Sequence, residues 1–351
     1  MNIVFICKSI TGGGAERFSV NMVNYLSASE KSNVYIVTEK IKENEYFLDN
    51  RVKRFDFLKS KAYFSNILKI IHFATDKKID VIVGIDIEPN LLVCMASLYM
   101  KAKCIISERN APKQVNISRL SRILRFIFYR FADGFIFQTE GAKSFYSKNI
   151  QKRSVVIHNP VKKNLIYKSN IDKNEIVAIG RLNIQKNYPM LIKAFSKVHL
   201  KHNDYILRIF GEGNEKEKLK KLCKELGVEE YVSFEGFSLN VHEAIKDSQI
   251  FVMTSDFEGM PNALMEAMAM GFPVISTDCP AGGPLELINN GKNGILVPVK
   301  YDDILVEKLC MLIENPDLRH SISQKAIQIR DTHDISIIMN KWNDFLNFYY
   351  V

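Results

Sequence analysis

The stretch Ile250-Phe-Val-Met253-Thr-Ser255-Asp-Phe-Glu258-Gly-Met-Pro261-Asn262-Ala-Leu-Met-Glu266-Ala-Met-Ala-Met-Gly271 decides the fold. Residues 250–253 are apolar and uncharged, the signature of a short buried strand. Pro261 stands where a helix can begin, because its missing N–H would lack a partner there anyway. Leu264, Met265, Met268 and Ala269 recur at helical spacing, and Gly271 is a natural stop. The order is therefore strand, tight loop, helix, with Glu258 in the loop and Glu266 inside the helix. The helix N-terminus between the two carboxylates offers N–H groups and a positive dipole end to an anion. Two glutamates eight residues apart, taken alone, fit an ordinary surface loop and helix better than a site.

The same unit recurs on both sides. In the first half, residues 2–7 form an apolar run followed by Thr11-Gly12-Gly13-Gly14-Ala15-Glu16-Arg17 and a helical pattern through Phe18, Met22 and Leu26. Glycines at a strand–helix junction let a phosphate approach the backbone closely, although a plain tight turn explains them too. Further strand-like runs fall at 34–38, 81–85, 103–107, 134–138 and 155–157, with helical segments between. In the second half the runs are 176–179, 207–210, 232–236, 250–253, 273–277 and 294–298. Such alternation predicts doubly wound parallel sheets, in which ligands gather at the carboxyl ends of strands. Gly180-Arg181-Leu-Asn-Ile-Gln-Lys186-Asn187 follows one of those ends and carries two cations suited to a diphosphate.

Glu258-x7-Glu266 enclosing Gly259-Met260-Pro261-Asn262, together with Gly180-Arg-Leu-x-x-x-Lys186-Asn, Gly12-Gly-Gly-Ala-Glu-Arg17 and Pro273-Val-Ile-Ser-Thr277, resembles the retaining GT-B glycosyltransferases of family 4, the glycosyl transferases group 1. The resemblance covers nearly all of residues 1–300 and is most specific over 180–298. It implies two Rossmann-like domains facing across a cleft, an acceptor domain at 1–165 and a donor domain at 166–334. The C-terminal helix, 335–351, is expected to return to the first domain. It implies a nucleotide-sugar donor, expected to be a UDP-sugar, and a glycan or polyprenyl-diphosphate-linked acceptor in surface-polysaccharide or glycolipid synthesis. Glu258 and the 259–262 backbone would take the sugar, Glu266 the ribose, and Arg181 and Lys186 the diphosphate, with Gly13 and Gly14 contributing to the phosphate pocket. Glu258, Arg181 and Lys186 are the expected catalytic residues. Many members carry a histidine near the transferred sugar. This chain has Glu108-Arg109-Asn110 there, read as sugar or acceptor contacts, with helix capping an equal alternative for Asn110. No Asp-x-Asp occurs, and neither a metal nor a cofactor is expected.

The chain has 351 residues and a net charge of +9, unevenly placed. Residues 1–170 hold 28 Lys and Arg against 14 Asp and Glu, whereas 171–351 hold 20 against 25. An anionic partner is therefore expected for the first half. Between Glu108 and Asp133 every charge is positive. Ile117, Leu120, Ile123, Leu124, Ile127, Phe128 and Phe131 line one helical stripe there, read as core. Arg119, Arg122 and Arg130 share another face, suited to anionic lipid. The six cysteines are scattered, consistent with reduced thiols. The N-terminus reads as a strand rather than a signal sequence, and a cytoplasmic protein, peripheral on the inner face of the plasma membrane, is expected. Two alternatives stand beside the transferase: a nucleotide-sugar epimerase or phosphorylase of the same architecture, and a non-enzymatic nucleic-acid-binding protein. The second lacks aromatic-interleaved basic motifs, and no nucleic-acid partner is expected.

Overall fold

Apolar runs ending in glycine-rich or charged loops become strands throughout the chain, and every strand pairing is parallel. The computed structural model describes residues 1–350 except 30, 31, 41–43, 61, 114–117, 163, 170 and 171. It divides into two units, Met1–Asn159 with Ser336–Val351, and Pro160–Ile335. The chain passes between units at Asn159–Pro160, ahead of the 165/166 boundary read from the sequence.

The first unit holds β1 (Asn2–Ile6), β2 (Asn33–Val37), β3 (Lys53–Phe55), β4 (Val81–Ile85), β5 (Lys103–Ser107), β6 (Gly134–Phe137) and β7 (Ser154–Val156), in the order β3-β2-β1-β4-β5-β6-β7. The sequence gives no signal for β3: it is a three-residue edge strand with two charged residues. The second unit holds β8 (Lys173–Ile179), β9 (Ile206–Phe210), β10 (Val232–Gly236), β11 (Ser248–Met253), β12 (Val274–Asp278) and β13 (Ile295–Pro298), ordered β10-β9-β8-β11-β12-β13. These are two doubly wound α/β sheets, the pair of Rossmann-like domains of the GT-B architecture. In each, the strand order reverses at one point, between β1 and β4 and between β8 and β11.

Both faces of the second sheet are covered, which is why its strands read as continuous apolar runs rather than alternating ones. In β11, Ile250 and Val252 pack in one core with Leu191 and Phe195 of the helix Tyr188–His199. Phe251 and Met253 pack in the other with Leu264 and Met268 of the helix Asn262–Met270. That helix ends at Gly271 with φ 88°, a conformation open to glycine without Cβ strain. The C-terminal helix, Ile335–Tyr350, buries Ile338, Met339, Trp342 and Leu346. Within the first unit the Trp342 ring meets Phe18 at 4.8 Å, and the Tyr349 hydroxyl donates to the Asp133 carbonyl at 3.1 Å.

One sequence expectation is inverted. The helix Arg119–Phe128, capped by Ser118 accepting from the Ser121 amide at 3.0 Å, does not bury its apolar stripe. Leu120, Ile123 and Ile127 are exposed, as is Phe131 beyond the helix, and the one buried residue of the helix is Arg125. The reason is local: the Arg125 guanidinium turns inward to donate to the Pro112 carbonyl at 3.1 Å, which fixes the opposite face outward. Arg119, Arg122 and Arg130 are exposed as expected, and Ile117 lies outside the described residues. Among the described residues, no helix is long and apolar enough to cross a membrane.

Candidate active site

In an open parallel sheet, the loops leaving adjacent strands at the reversal point diverge and leave a crevice for a ligand. In the second unit those loops follow β8 and β11. The first runs through Gly180 and Arg181 into a single helical turn, Ile184–Lys186, where the Asn183 side chain accepts from the Lys186 amide at 3.2 Å. Asn187 is left-handed with φ 44°, a conformation asparagine tolerates, and it caps the helix Tyr188–His199. Glycines let neighbouring loops come this close. A Cβ on Gly211, after β9, would lie 2.0 Å from the Gly180 carbonyl oxygen.

The loop after β11 is stitched to the loop after β8. The Thr254 hydroxyl donates to the carbonyls of Lys186 and Asn187, each at 3.1 Å. The Asp256 amide donates to the Gln185 carbonyl at 2.8 Å, and the Gln185 side chain donates to the Phe257 carbonyl at 2.9 Å. The Asn187 side-chain amide donates to the Asp256 carboxylate at 2.8 Å. This frame brings together two residues 72 apart in sequence: the Lys186 ammonium lies 2.6 Å from a Glu258 carboxylate oxygen. Glu258 is 8% exposed, and the same oxygen accepts from the Ser255 hydroxyl at 2.8 Å. Arg181 is exposed, and among the described residues its side chain makes no hydrogen bond or ion pair, while its carbonyl accepts from the Asn183 amide at 2.9 Å.

Residues 259–262 are held from the other side. The Glu258 amide donates to the Pro280 carbonyl at 2.7 Å and the Ala281 amide donates back to Glu258 at 2.9 Å. A Cβ on Gly283 would stand 1.8 Å from the Gly259 carbonyl oxygen, so the two loops touch through backbone. Met260 and Pro261 are buried, and Asn262 opens the helix that carries Glu266. Glu266 faces His242 at 2.9 Å, with both side chains 13% exposed. His242, Asp256 and Thr254 escape sequence reading because each gains its place through a partner distant in the chain. Burial and the neighbouring Glu258 push the Cys279 thiol up to about 12, which disfavours the thiolate.

The first unit has its own cavity, about 300 Å³, where β1 and β4 end. Lys8, Glu16, Asp86, Glu88 and Asn110 give it polar walls. Asn110 donates to Asp86 at 2.7 Å, and Lys8 pairs with Glu88 at 3.3 Å. Asp86 caps the helix Ile87–Ser97 at φ 71°, a strained conformation for a residue with a Cβ. Gly13 caps the helix Gly14–Ser27, whose Ala15 and Glu16 line this cavity, and the Glu16 carboxylate folds back so far that a Cβ on Gly13 would lie 1.9 Å from its oxygen. Of the 108–110 trio, only Asn110 lines the cavity. Glu108 is buried, accepts from the Tyr129 hydroxyl and lies 3.5 Å from the Asn90 amide. Burial raises its carboxyl above the ordinary carboxylate range. Arg109 is buried too, stacked 3.8 Å from the Phe18 ring centroid and donating to Asn159 at 2.5 Å. Burial pushes its guanidinium down to about 9.

Residues 162–329, the body of the second unit, match the family model of the glycosyl transferases group 1. An uncharacterized glycosyltransferase of Haemophilus influenzae is 27% identical, the match covering 97% of this chain and 98% of that one. A Campylobacter jejuni enzyme is 28% identical, with 97% of each covered. It is an alpha-1,4-N-acetyl-D-galactosaminyltransferase acting on GalNAc-alpha-(1->4)-GalNAc-alpha-(1->3)-diNAcBac-PP-undecaprenol. Among solved structures, Anabaena Alr3699/HepE in complex with UDP superposes with a TM-score of 0.83 at 18% identity, covering 99% of this chain and 100% of that one. These relatives favour neither the epimerase or phosphorylase reading nor the nucleic-acid one.

Proposed function

We propose that the protein transfers a sugar, with retention and without a metal, from a UDP-sugar to a glycan or polyprenyl-diphosphate-linked acceptor in surface-polysaccharide or glycolipid synthesis. The observation that carries this reading is the Lys186–Glu258 pair at the carboxyl ends of β8 and β11, with the exposed Arg181 on the same loop as Lys186. A departing nucleoside diphosphate gains negative charge as the glycosidic bond breaks. Cations already in place stabilise that charge more than they stabilise the bound donor, which is what accelerates the step. Arg181 and Lys186 take the diphosphate. Lys186 then shares its charge with the donor, and Glu258 and the 259–262 backbone accept and position the sugar hydroxyls. Glu266, set by His242, takes the ribose.

The polar cavity of the first unit suits a hydroxyl-bearing acceptor, and Asn110 is its contact from the 108–110 trio. Glu108 and Arg109 support that wall from behind. A phosphate oxygen at Gly13 and Gly14 must displace the Glu16 carboxylate. The basic first unit, through Arg119, Arg122 and Arg130, meets an anionic membrane on its cytoplasmic face. The test is calorimetry with UDP. Arg181→Ala with Lys186→Ala is expected to weaken binding by roughly 100-fold or more, given the strength of charge-assisted contacts to phosphate. Unchanged affinity overturns the reading. Transfer that persists in a chelator and yields an α-linked product from an α-donor checks metal independence and retention.

A further inference from the structure

In the second unit, the helix Tyr188–His199 packs against the helix Asp302–Glu314. Leu191, Phe195 and Val198 of the first share a core with Leu305, Leu309 and Leu312 of the second. Lys197 fastens one end of the contact, 3.0 Å from Asp302 and 2.7 Å from Asp303. The other end holds three side chains of a different chemistry, His202, Cys310 and Glu314. Cys310 and Glu314 stand at i and i+4 on one helix and so share a face. His202 reaches them from the turn after the other helix, and that turn is pinned. Its amide donates to the Val198 carbonyl at 3.0 Å, and its carbonyl accepts from the Tyr205 amide at 3.2 Å. His202 Nε2 lies 3.1 Å from a Glu314 carboxylate oxygen, across 112 residues of sequence. One imidazole nitrogen, the Cys310 sulfur and one carboxylate oxygen all lie within 4.8 Å of one another.

A histidine–glutamate pair alone is an ordinary surface contact. The thiol beside it changes the chemistry. Cys310 is 8% exposed, whereas the Glu314 side chain is 61% exposed, so an ion can enter from the carboxylate side and meet sulfur within. Thiolate and carboxylate bring two negative charges, which match a divalent cation. Magnesium and calcium take oxygen ligands, whereas sulfur and imidazole suit zinc. Ligand atoms on one tetrahedral zinc stand about 3.3–3.6 Å apart, given its usual bond lengths. The His202–Glu314 spacing is already close to that, and the exposed Glu314 side chain can swing to complete the set.

We propose that His202, Cys310 and Glu314 bind a zinc ion, with water in the fourth position, and that the ion ties the turn after one helix to the end of the other. Binding exchanges a proton for the metal: the Cys310 S–H bond breaks, a sulfur–zinc bond forms, and the proton leaves to solvent. His202 presents its Nε2 lone pair and keeps its ring proton on Nδ1. The ion takes no part in sugar transfer. His202 lies beyond the far end of a 12-residue helix whose start adjoins Lys186, about 18 Å of helix away.

The test uses the full chain stripped of metal. Cobalt(II), which takes the same ligands and is coloured, is titrated first and followed by absorption. One equivalent is expected to give a thiolate-to-cobalt charge-transfer band, and zinc is expected to displace it. Cys310→Ser should abolish the band. His202→Asn and Glu314→Gln should each weaken zinc binding in calorimetry roughly 10- to 100-fold or more, since groups that merely orient a ligand are already worth about that much. Zinc should raise the melting temperature of the wild type and not that of Cys310→Ser. The proposal is overturned by any of four results: no charge-transfer band, a band that survives Cys310→Ser, binding that needs millimolar metal, or a melting temperature that zinc leaves unchanged. Because Glu314 is exposed, Glu314→Gln should fold normally, and zinc affinity equal to the wild type in that variant would overturn the proposal too. UDP calorimetry on the same samples keeps the two readings apart. A chain that binds UDP but not zinc sinks this inference alone, and one that binds zinc but not UDP sinks the donor reading alone.

Discussion

Replacing Lys186 by methionine keeps the stem and removes the charge. The Glu258 carboxylate, 8% exposed, then keeps one close partner among the hydrogen bonds described here, the Ser255 hydroxyl at 2.8 Å. Removing one member of a fully buried pair costs about 3–5 kcal/mol, most of it the penalty of leaving the other charge unpaired. The side chains of Lys186 and Glu258 are 17% and 11% exposed, so water offsets part of that penalty. The expected loss is about 2–4 kcal/mol, or roughly 5–12 °C in the melting of a unit of this size. Glu258→Gln on top of Lys186→Met removes the stranded charge and should restore most of the stability, because contacting residues are not additive. Both variants should lose sugar transfer, so stability and activity separate. The assay is urea unfolding of wild type, both single variants and the double variant, followed at equilibrium with and without UDP. A loss below about 1 kcal/mol in Lys186→Met is what a solvated surface pair would give, and it would refute the buried-pair argument. A double variant no more stable than Lys186→Met would refute it equally.

Gly283→Ala would place a methyl 1.8 Å from the Gly259 carbonyl and 2.9 Å from Pro261, so the 259–262 loop must shift. The expected outcome is a loss of about 1–3 kcal/mol in thermal unfolding and a larger proportional loss in turnover than in UDP affinity; unchanged turnover would show that this loop does not position the sugar. Glu108 gives a pH signature. Its folded-state carboxyl sits above the unfolded one, so its contribution is complete at acidic pH below the unfolded value and is lost as pH rises through the folded value. Melting temperature should fall as pH rises above the range in which an unfolded carboxyl titrates, and Glu108→Gln should flatten that fall; a parallel profile would exclude Glu108 as its source.

Much of this protein was legible from the sequence because parallel strands buried on both faces leave an unmistakable pattern. The runs 81–85 and 103–107 are strands over those same residues, and the Gly271 stop stands where expected. Local chemistry also reads out one residue at a time, as with Pro261 at the start of the helix Asn262–Met270. Tertiary structure decided the rest. Periodicity reveals that the segment around Arg119–Phe128 has an apolar side, but not which side meets the protein. That depended on Arg125 finding the Pro112 carbonyl. Spacing shows two glutamates and two cations, but not that Lys186 would reach Glu258 while Arg181 stayed unpaired. Nor could it show that Glu108 and Arg109 would turn away from the cavity that Asn110 lines. A sequence records each residue's own preference, whereas a site is made of pairs, and pairs separated by 72 residues exist only once the strands between them have been ordered into a sheet.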